Sequence, residues 1–265
     1  MIKSKIYCMC LHDHHLNNLI KLNYTPVGLG NNKFSNIWLK DNTKNNISKK
    51  NSYYGEYTFY YWFWKNALNQ YDSKTWVGFT GYRYHWSQKN DVHSDELNKL
   101  VNKDNLKKIP NEWENSNVVL GQKIHVNNWK LSKIIKHAKK KFLLNPSYFI
   151  KSNQNIKLHF DVFHGEGLID RAIEVLDDSE KNDFKNFILN ENSFNRENLF
   201  FCRSKKIMND YFESIFNWLR KCEDIFGFNL NGYARTRIYA FLAERYLSFW
   251  FNKYANALPW PIFFY

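Results

Sequence analysis

The chain has 265 residues, a mass of 32.1 kDa and a formal charge of +13. It is long enough to bury a sizeable core and no Pro/Gly/Ser-rich linker divides it, so a single domain over residues 1–265, closed by an aromatic tail at 254–265, is expected. No run of about 18 apolar residues is present and the amino terminus lacks a signal core, which excludes an integral helical membrane protein and points to the cytoplasm.

The charge calls for an anionic partner such as nucleic acid, anionic lipid or a phosphorylated substrate. Lys outnumbers Arg 30 to 8, so much of it is generic solvated surface, and the eight Arg are the more informative cations because their planar fork suits phosphate and carboxylate. Cys8, Cys10, Cys202 and Cys222 show no metal-ligand spacing apart from the lone Cys8-x-Cys10, and on a strand those two would lie on one face as small hydrophobes, which fits a reducing compartment.

Residues 5–11 read as a buried strand running out into His12-Asp13-His14-His15. In an open α/β sheet the carboxyl ends of the strands face the ligand crevice, so this cluster stands where a site belongs. Three His and an Asp could hold a metal, but adjacent His in a loop point different ways. Residues 24–30 read as a loop whose Gly-Leu-Gly is too short to cradle phosphate.

A polar collar, Asn46-Ile47-Ser48-Lys49-Lys50-Asn51, feeds a segment in which Tyr57, Phe59, Tyr60, Tyr61, Trp62, Phe63 and Trp64 leave almost no polar face. A helix apolar all round belongs inside a protein. Asn51 or Ser52 can cap its start, and Glu56 falls in the first turn, at the positive end of the dipole. Residues 75–80 form a second buried strand ending in Gly81-Tyr82-Arg83-Tyr84-His85-Trp86, and strand, helix, strand in that order predicts a parallel βαβ unit. Arg83 then stands at the carboxyl end of an inner strand; the bland alternative is a surface Arg paired with a carboxylate.

Residues 87–117 are polar, 117–120 read as a short strand, and 131–144 as an amphipathic basic helix that is either a solvated face or a rest on anionic lipid. Residues 157–163 alternate like a strand delivering His164-Gly165-Glu166-Gly167, and a helix comes next over 168–176. Asp161, His164, Glu166 and Asp170 make the densest acid/base cluster. Residues 198–202 read as a strand, 207–226 as a helix, and 237–254 as a helix whose Glu244 and Arg245 predict a buried ion pair with a neighbour. The prolines of the tail exclude a helix, and the tail packs on the domain or meets a membrane interface.

With these elements placed, the chain resembles a bacterial family from capsule, exopolysaccharide and O-antigen loci, long known as a domain of unknown function, some of whose members are galactofuranosyltransferases. A block of the form NISxKNxxYxELTxxYWxWKN matches at Asn46, Ile47, Ser48, Lys50, Asn51, Tyr54, Glu56, Thr58, Tyr61, Trp62, Trp64, Lys65 and Asn66. The opening strand, the loop with a Pro and a Gly, an NMFI-like strand at 198–201 and an RVxGFLAERLLxxW-like segment at 237–250 extend the likeness over nearly the whole chain. In the HYRRYF-like box only Tyr82 and Arg83 keep the pattern, since Gly81 replaces the His and Tyr84 the second Arg.

The resemblance implies an α/β fold: one GT-A-like, Rossmann-like nucleotide-sugar-binding domain with a mixed central sheet flanked by helices. It implies transfer of a sugar, galactofuranose being the family's example, from a UDP-linked donor to a capsular, O-antigen, exopolysaccharide or lipid-linked acceptor, with inversion. The leaving diphosphate needs a cation or aimed donors. The acceptor hydroxyl needs a base. GT-A enzymes usually hold Mn or Mg with an Asp-x-Asp at a central strand end; here the matching end carries Arg83 and no carboxylate, so no cofactor is expected and Arg83 takes the metal's place, supported by Arg237 or Arg245. Asp161, Glu166 and Asp170 compete as base beside His164, with Asp161 preferred as a strand-end residue. His12, Asn46, Ser48, Lys50, Asn51, Glu56, Tyr82, Arg83 and Glu244 complete the donor-binding set. A basic surface also suits peripheral attachment to the inner leaflet.

Two rival classes stand against an enzyme. A carbohydrate-binding module would use the 18% aromatic content for stacking. A nucleic-acid binder would use charge and aromatics together, but the aromatics cluster in one buried-looking helix instead of alternating with cations, so no nucleic-acid partner is expected.

Overall fold

The structure is a computed structural model describing residues 3–90, 105–127, 147, 150 and 153–264; the basic helix expected over 131–144 and part of the polar stretch at 87–117 lie outside them. The strands are β1 (Lys3–Cys10), β2 (Thr25–Gly28), β3 (Leu39–Lys40), β4 (Thr75–Gly81), β5 (Tyr84–Trp86), β6 (Val118–Gly121), β7 (Ile124–His125), β8 (Ser193–Phe194), β9 (Phe200–Cys202), β10 (Leu258–Trp260) and β11 (Ile262–Phe264). The chain clusters into two compact units. Unit 1 comprises residues 1–122, 196–214 and 250–265, and unit 2 comprises 123–195 and 215–249.

Unit 1 is built on a seven-stranded sheet of order β10-β6-β9-β4-β1-β2-β3. β1 pairs parallel with β2 and β4, β2 with β3, and β10 with β6, while β9 runs antiparallel between β4 and β6. Strands covered on both faces lose the alternation of a half-exposed strand, which is why residues 6–10 of β1, 76–79 of β4 and 200–202 of β9 read as unbroken apolar runs. On β1 the residues still divide by period two. Ile6, Cys8 and Cys10 join Trp76, Trp86, Trp113, Phe201 and Trp260 on one face. Tyr7 faces the other way, toward Phe59 and Phe63 at 5.3 and 5.4 Å between ring centres.

Phe59 and Phe63 belong to the aromatic helix, Tyr57–Asn66, in which Tyr57, Thr58, Phe59, Tyr60, Trp62 and Phe63 are buried while Tyr61 and Trp64, expected inside, are half-buried. Its polar tips find partners, the condition under which Tyr and Trp can be buried cheaply. Tyr57 meets the Tyr211 hydroxyl at 2.9 Å, Tyr60 donates to the Glu197 carbonyl at 2.7 Å, Trp62 to Thr43 at 3.0 Å and Trp64 to Asn209 at 2.9 Å. The segment is not one helix from Asn51. Gly55, at φ +56 and ψ −132, separates a short helix, Asn51–Tyr54, from the aromatic one, and Glu56 stands at the latter's amino-terminal cap.

The prolines of the tail do exclude a helix, and the tail packs: β10 extends the sheet beside β6 and β11 pairs antiparallel with β5.

Unit 2 is mainly helical, with the short β7/β8 pair. The stretch expected as a strand at 157–163 is a helix, Ile156–Phe163. Asn155 caps it, its side-chain oxygen accepting the Leu158 N–H at 2.8 Å, and Lys157 pairs with Asp161 one turn on at 2.8 Å. Ile156 and Phe160, four apart, form the buried face. The apparent period of two comes from Leu158 and Val162, both only half-buried. Helix Leu168–Glu174 comes next, as expected. Among the described residues no helix is long and apolar enough to cross a membrane.

Candidate active site

In unit 1 the chain passes from β1 outward through β2 to β3 and then returns to β4 on the other side of β1. The parallel order therefore reverses between β1 and β4, and a ligand crevice is expected outside their carboxyl ends. Beyond its carboxyl end β1 leads into a 3-10 turn, Asp13–His15. β4 leads into the two-residue turn Tyr82-Arg83 that connects it to β5. The two turns meet: His15 stacks on Tyr82 at 4.3 Å, His14 lies on His15 at 4.0 Å, and His12 stacks beside His14 at 5.6 Å. Burial, with His14 and His12 close by, holds the His15 pKa below its ordinary value. Asp13 anchors the row's base by accepting the Ser35 N–H at 2.9 Å.

Arg83 is exposed at the tip of its turn, over the Tyr82 ring at 5.4 Å, and among the described residues it forms no ion pair. Behind it, Asn198 packs close over Gly81, so close that a Cβ there would lie 2.8 Å from the amide nitrogen. The same amide points to Glu56 Oε1 at 3.4 Å. The Gly81 that departs from the HYRRYF-like pattern is thus the residue that admits Asn198. Arg196 lies over Tyr84 at 5.0 Å on the same side.

At the carboxyl end of β3 lies Asp41, which is fully buried. Its carboxylate accepts the Gly30 N–H at 2.8 Å and the Thr58 hydroxyl at 2.6 Å. Thr58 in turn accepts from Asn51 at 3.0 Å, and Asn51 also donates to the Gly55 carbonyl at 2.9 Å. Burial pushes the Asp41 pKa up, opposed by these donors.

Unit 2 holds a second polar group. Arg245, 1% exposed, pairs with Glu244 at 2.5 Å and donates to His159 at 3.1 Å and His164 at 3.2 Å. Glu244 is its sequence neighbour, so the buried ion pair expected from the pattern is made within one helical turn. His164 stacks on Phe241 at 3.9 Å, and burial together with the Arg245 charge drives its pKa far down, so it serves Arg245 as a neutral acceptor. Asp161 lies in the last turn of its helix and not at a strand end; its two oxygens take Lys157 and the Gly167 N–H at 3.0 Å. Asp170 shares Lys157 at 2.7 Å, while Glu166 is exposed. Arg237 is half-buried over Tyr233 at 5.7 Å. Among the described residues of the chain no three His, Cys, Asp or Glu gather as a metal-binding group.

A family model described as a domain of unknown function, DUF4422, matches residues 5–256. The chain belongs to the DUF4422 family. No curated protein matches it. Among solved structures, the apo structure of the WbbM bifunctional glycosyltransferase is similar, with a TM-score of 0.60 and 20% identity, over 99% of this chain and 45% of that one. The chain therefore spans less than half the length of the chain it matches. A likeness at this identity concerns the fold, and the mixed α/β sheet flanked by helices is the GT-A-like architecture expected from the sequence.

In this DUF4422 chain the residues singled out from sequence divide between the units. His12, Tyr82, Arg83 and Glu56 lie around the carboxyl ends of β1 and β4 in unit 1. The collar is turned inward on itself: Asn46 Oδ1 accepts the Ser48 hydroxyl at 2.8 Å, its amide donates to the Lys44 carbonyl at 2.9 Å, and Lys50 lies over Tyr54 at 5.8 Å. Asp161, His164, Glu166, Asp170, Arg237, Glu244 and Arg245 belong to unit 2. Sequence reasoning missed Asp41, Asn198 and the stacking of His15 on Tyr82. Asp41 had one available signal, an acid directly after a short strand that precedes a polar loop.

Proposed function

We propose that the chain is a nucleotide-sugar-dependent glycosyltransferase of bacterial capsule, O-antigen or exopolysaccharide assembly, passing a sugar, galactofuranose as the leading candidate, from a UDP-linked donor to a glycan or lipid-linked acceptor with inversion. The observation that carries this reading is the exposed Arg83 beside the stacked His15 and Tyr82, at the point where the parallel strand order reverses. Ligands of open α/β sheets, nucleotides among them, bind at such a point. An exposed guanidinium there suits the charge that gathers on a departing diphosphate. Family membership and a fold shared with a glycosyltransferase support the same reading.

In this scheme Arg83 binds the diphosphate, the His12–His15 row and Tyr82 flank it, and Glu56, steadied by Asn198, takes hydroxyls of the donor sugar. Asn46, Ser48 and Asn51 shape the loop that holds these groups. Attachment to the inner leaflet through basic residues brings a lipid-linked acceptor within reach.

The test is transfer from labelled UDP-sugars, with UDP binding measured by calorimetry. Removal of a charge-stabilising donor typically costs about 100-fold or more in turnover, so Arg83→Ala should lose on that order while chelator leaves the wild type active. Full turnover of Arg83→Ala, or loss of wild-type activity with chelator, refutes the role given to Arg83. Absence of UDP binding by the wild type refutes the reading as a whole.

A further inference from the structure

The buried Asp41 is not explained by packing alone. It is 0% exposed, and among the described residues neither oxygen meets a cation: one accepts the Gly30 N–H and the other the Thr58 hydroxyl. A buried carboxylate without an ion pair is costly, and here the two donors that it accepts, on separate elements, are what offset that cost. Gly30 sits at φ +66, immediately beyond Leu29, whose N–H donates to the Cys10 carbonyl at the end of β1. The Gly30 turn is thereby pulled onto the same strand ends that bear His12. A side chain at Gly30 would press within 3.0 Å of Asn51 Cβ, so the backbone there approaches the collar as closely as glycine permits.

We propose that Asp41 is a positioning residue of the donor pocket: its carboxylate clamps the Gly30 turn after β2 to Thr58 at the head of the aromatic helix, and so fixes the wall against which the nucleotide sits. The proposal rests on the nucleotide reading above. Charge matters because a carboxylate can accept both donors at once, and charge-assisted hydrogen bonds hold geometry more stiffly than neutral ones. Asparagine at 41 offers one acceptor oxygen and an amide that must turn toward either Gly30 or Thr58, which relaxes the turn without emptying the core. Asn51, through its bonds to Thr58 and Gly55, is the second tier of the same clamp.

The experiment is calorimetric titration of UDP into wild type, Asp41→Asn, Thr58→Val and Gly30→Ala, with thermal unfolding of each. The expected result is a dissociation constant for UDP raised about 10-fold in Asp41→Asn, which corresponds to about 1.4 kcal/mol, with binding stoichiometry and melting temperature unchanged. A purely structural role lowers melting temperature and stoichiometry and leaves the dissociation constant of the folded fraction alone; that outcome overturns the proposal. Should Asp41→Asn fail to fold, Thr58→Val and Gly30→Ala each disturb one arm of the clamp, and unchanged affinity in both overturns it equally. If the wild type itself binds no UDP, the nucleotide reading fails and takes this inference with it; if the wild type binds and all variants match it, the role of Asp41 alone is refuted.

Discussion

Mild acid should destabilise the protein through histidines that are buried neutral. His164 is 8% exposed, stacks on Phe241 and accepts a hydrogen bond from Arg245. Protonating it in place would set an imidazolium against that guanidinium in a buried site, and burial and the Arg245 charge accordingly hold its pKa far below the ordinary 6.5. His85, 5% exposed, is held down to about 4 by burial. The unfolded chain takes up these protons first as pH falls, so the stability they confer is complete above pH 6.5 and is lost as pH drops from there toward the folded values. Each such histidine tilts the balance by about 1.4 kcal/mol per pH unit, so between pH 6.5 and pH 5 His164 and His85 each remove about 2 kcal/mol. Against a typical total of roughly 5–15 kcal/mol this is large. Urea unfolding followed by circular dichroism at pH 7.5, 6.5, 5.5 and 5.0 measures it. His164→Gln keeps an acceptor for Arg245 but cannot titrate, and should flatten the profile by about one proton's worth. A wild-type midpoint that does not move over this range, or the same slope in His164→Gln, refutes the reasoning.

Local geometry sets two further stability outcomes. Gly78 lies opposite Phe201 in the β4/β9 register, and a Cβ there would fall inside the Phe201 ring's contact shell; Gly78→Ala should cost about 3 kcal/mol, read as a lowered melting temperature, and a neutral result would mean that the sheet shifts freely at its centre. Asn155→Ala removes the cap of helix Ile156–Phe163 and should cost about 1 kcal/mol in urea unfolding, whereas Asn155→Asp, which keeps the capping acceptor but loses the donation to the Leu189 carbonyl, should cost less.

The legible parts of this fold were those where composition alone decides. Residues 6–10 of β1, 76–79 of β4 and 200–202 of β9 are unbroken apolar runs because both faces are covered, and Tyr57, Phe59, Tyr60, Trp62 and Phe63 are interior. The segment at 157–163 misled because Leu158, Phe160 and Val162 alternate with Lys157, His159 and Asp161, a period that a helix can show by accident. The deciding signals were the Asn155 cap and the Lys157–Asp161 spacing, both local and both weaker to the eye than alternation. The collar residues were legible as special but not as self-satisfied: whether Asn46 faces a ligand or Ser48 depends on turn geometry that no spacing encodes. The role of Asp41 was illegible for a different reason, since its partners Gly30 and Thr58 lie on other elements and only the assembled sheet end brings them together.

The placement of β9 has a consequence for synthesis. β9 fills the gap between β4 and β6, yet it is encoded well after both, and β10, which covers the outer edge of β6, comes later still. A growing chain can pair β1, β2, β3 and β4 early, but the free edge of β4 and both edges of β6 then wait for residues beyond 200. At roughly 5–20 residues per second the wait is on the order of ten seconds. Through that interval the nascent protein presents open apolar strand edges of the kind that recruit foreign strands. Efficient production should therefore depend on what shields the nascent chain, and slowing translation before residue 200 should lower the soluble yield while leaving the stability of the finished fold unchanged.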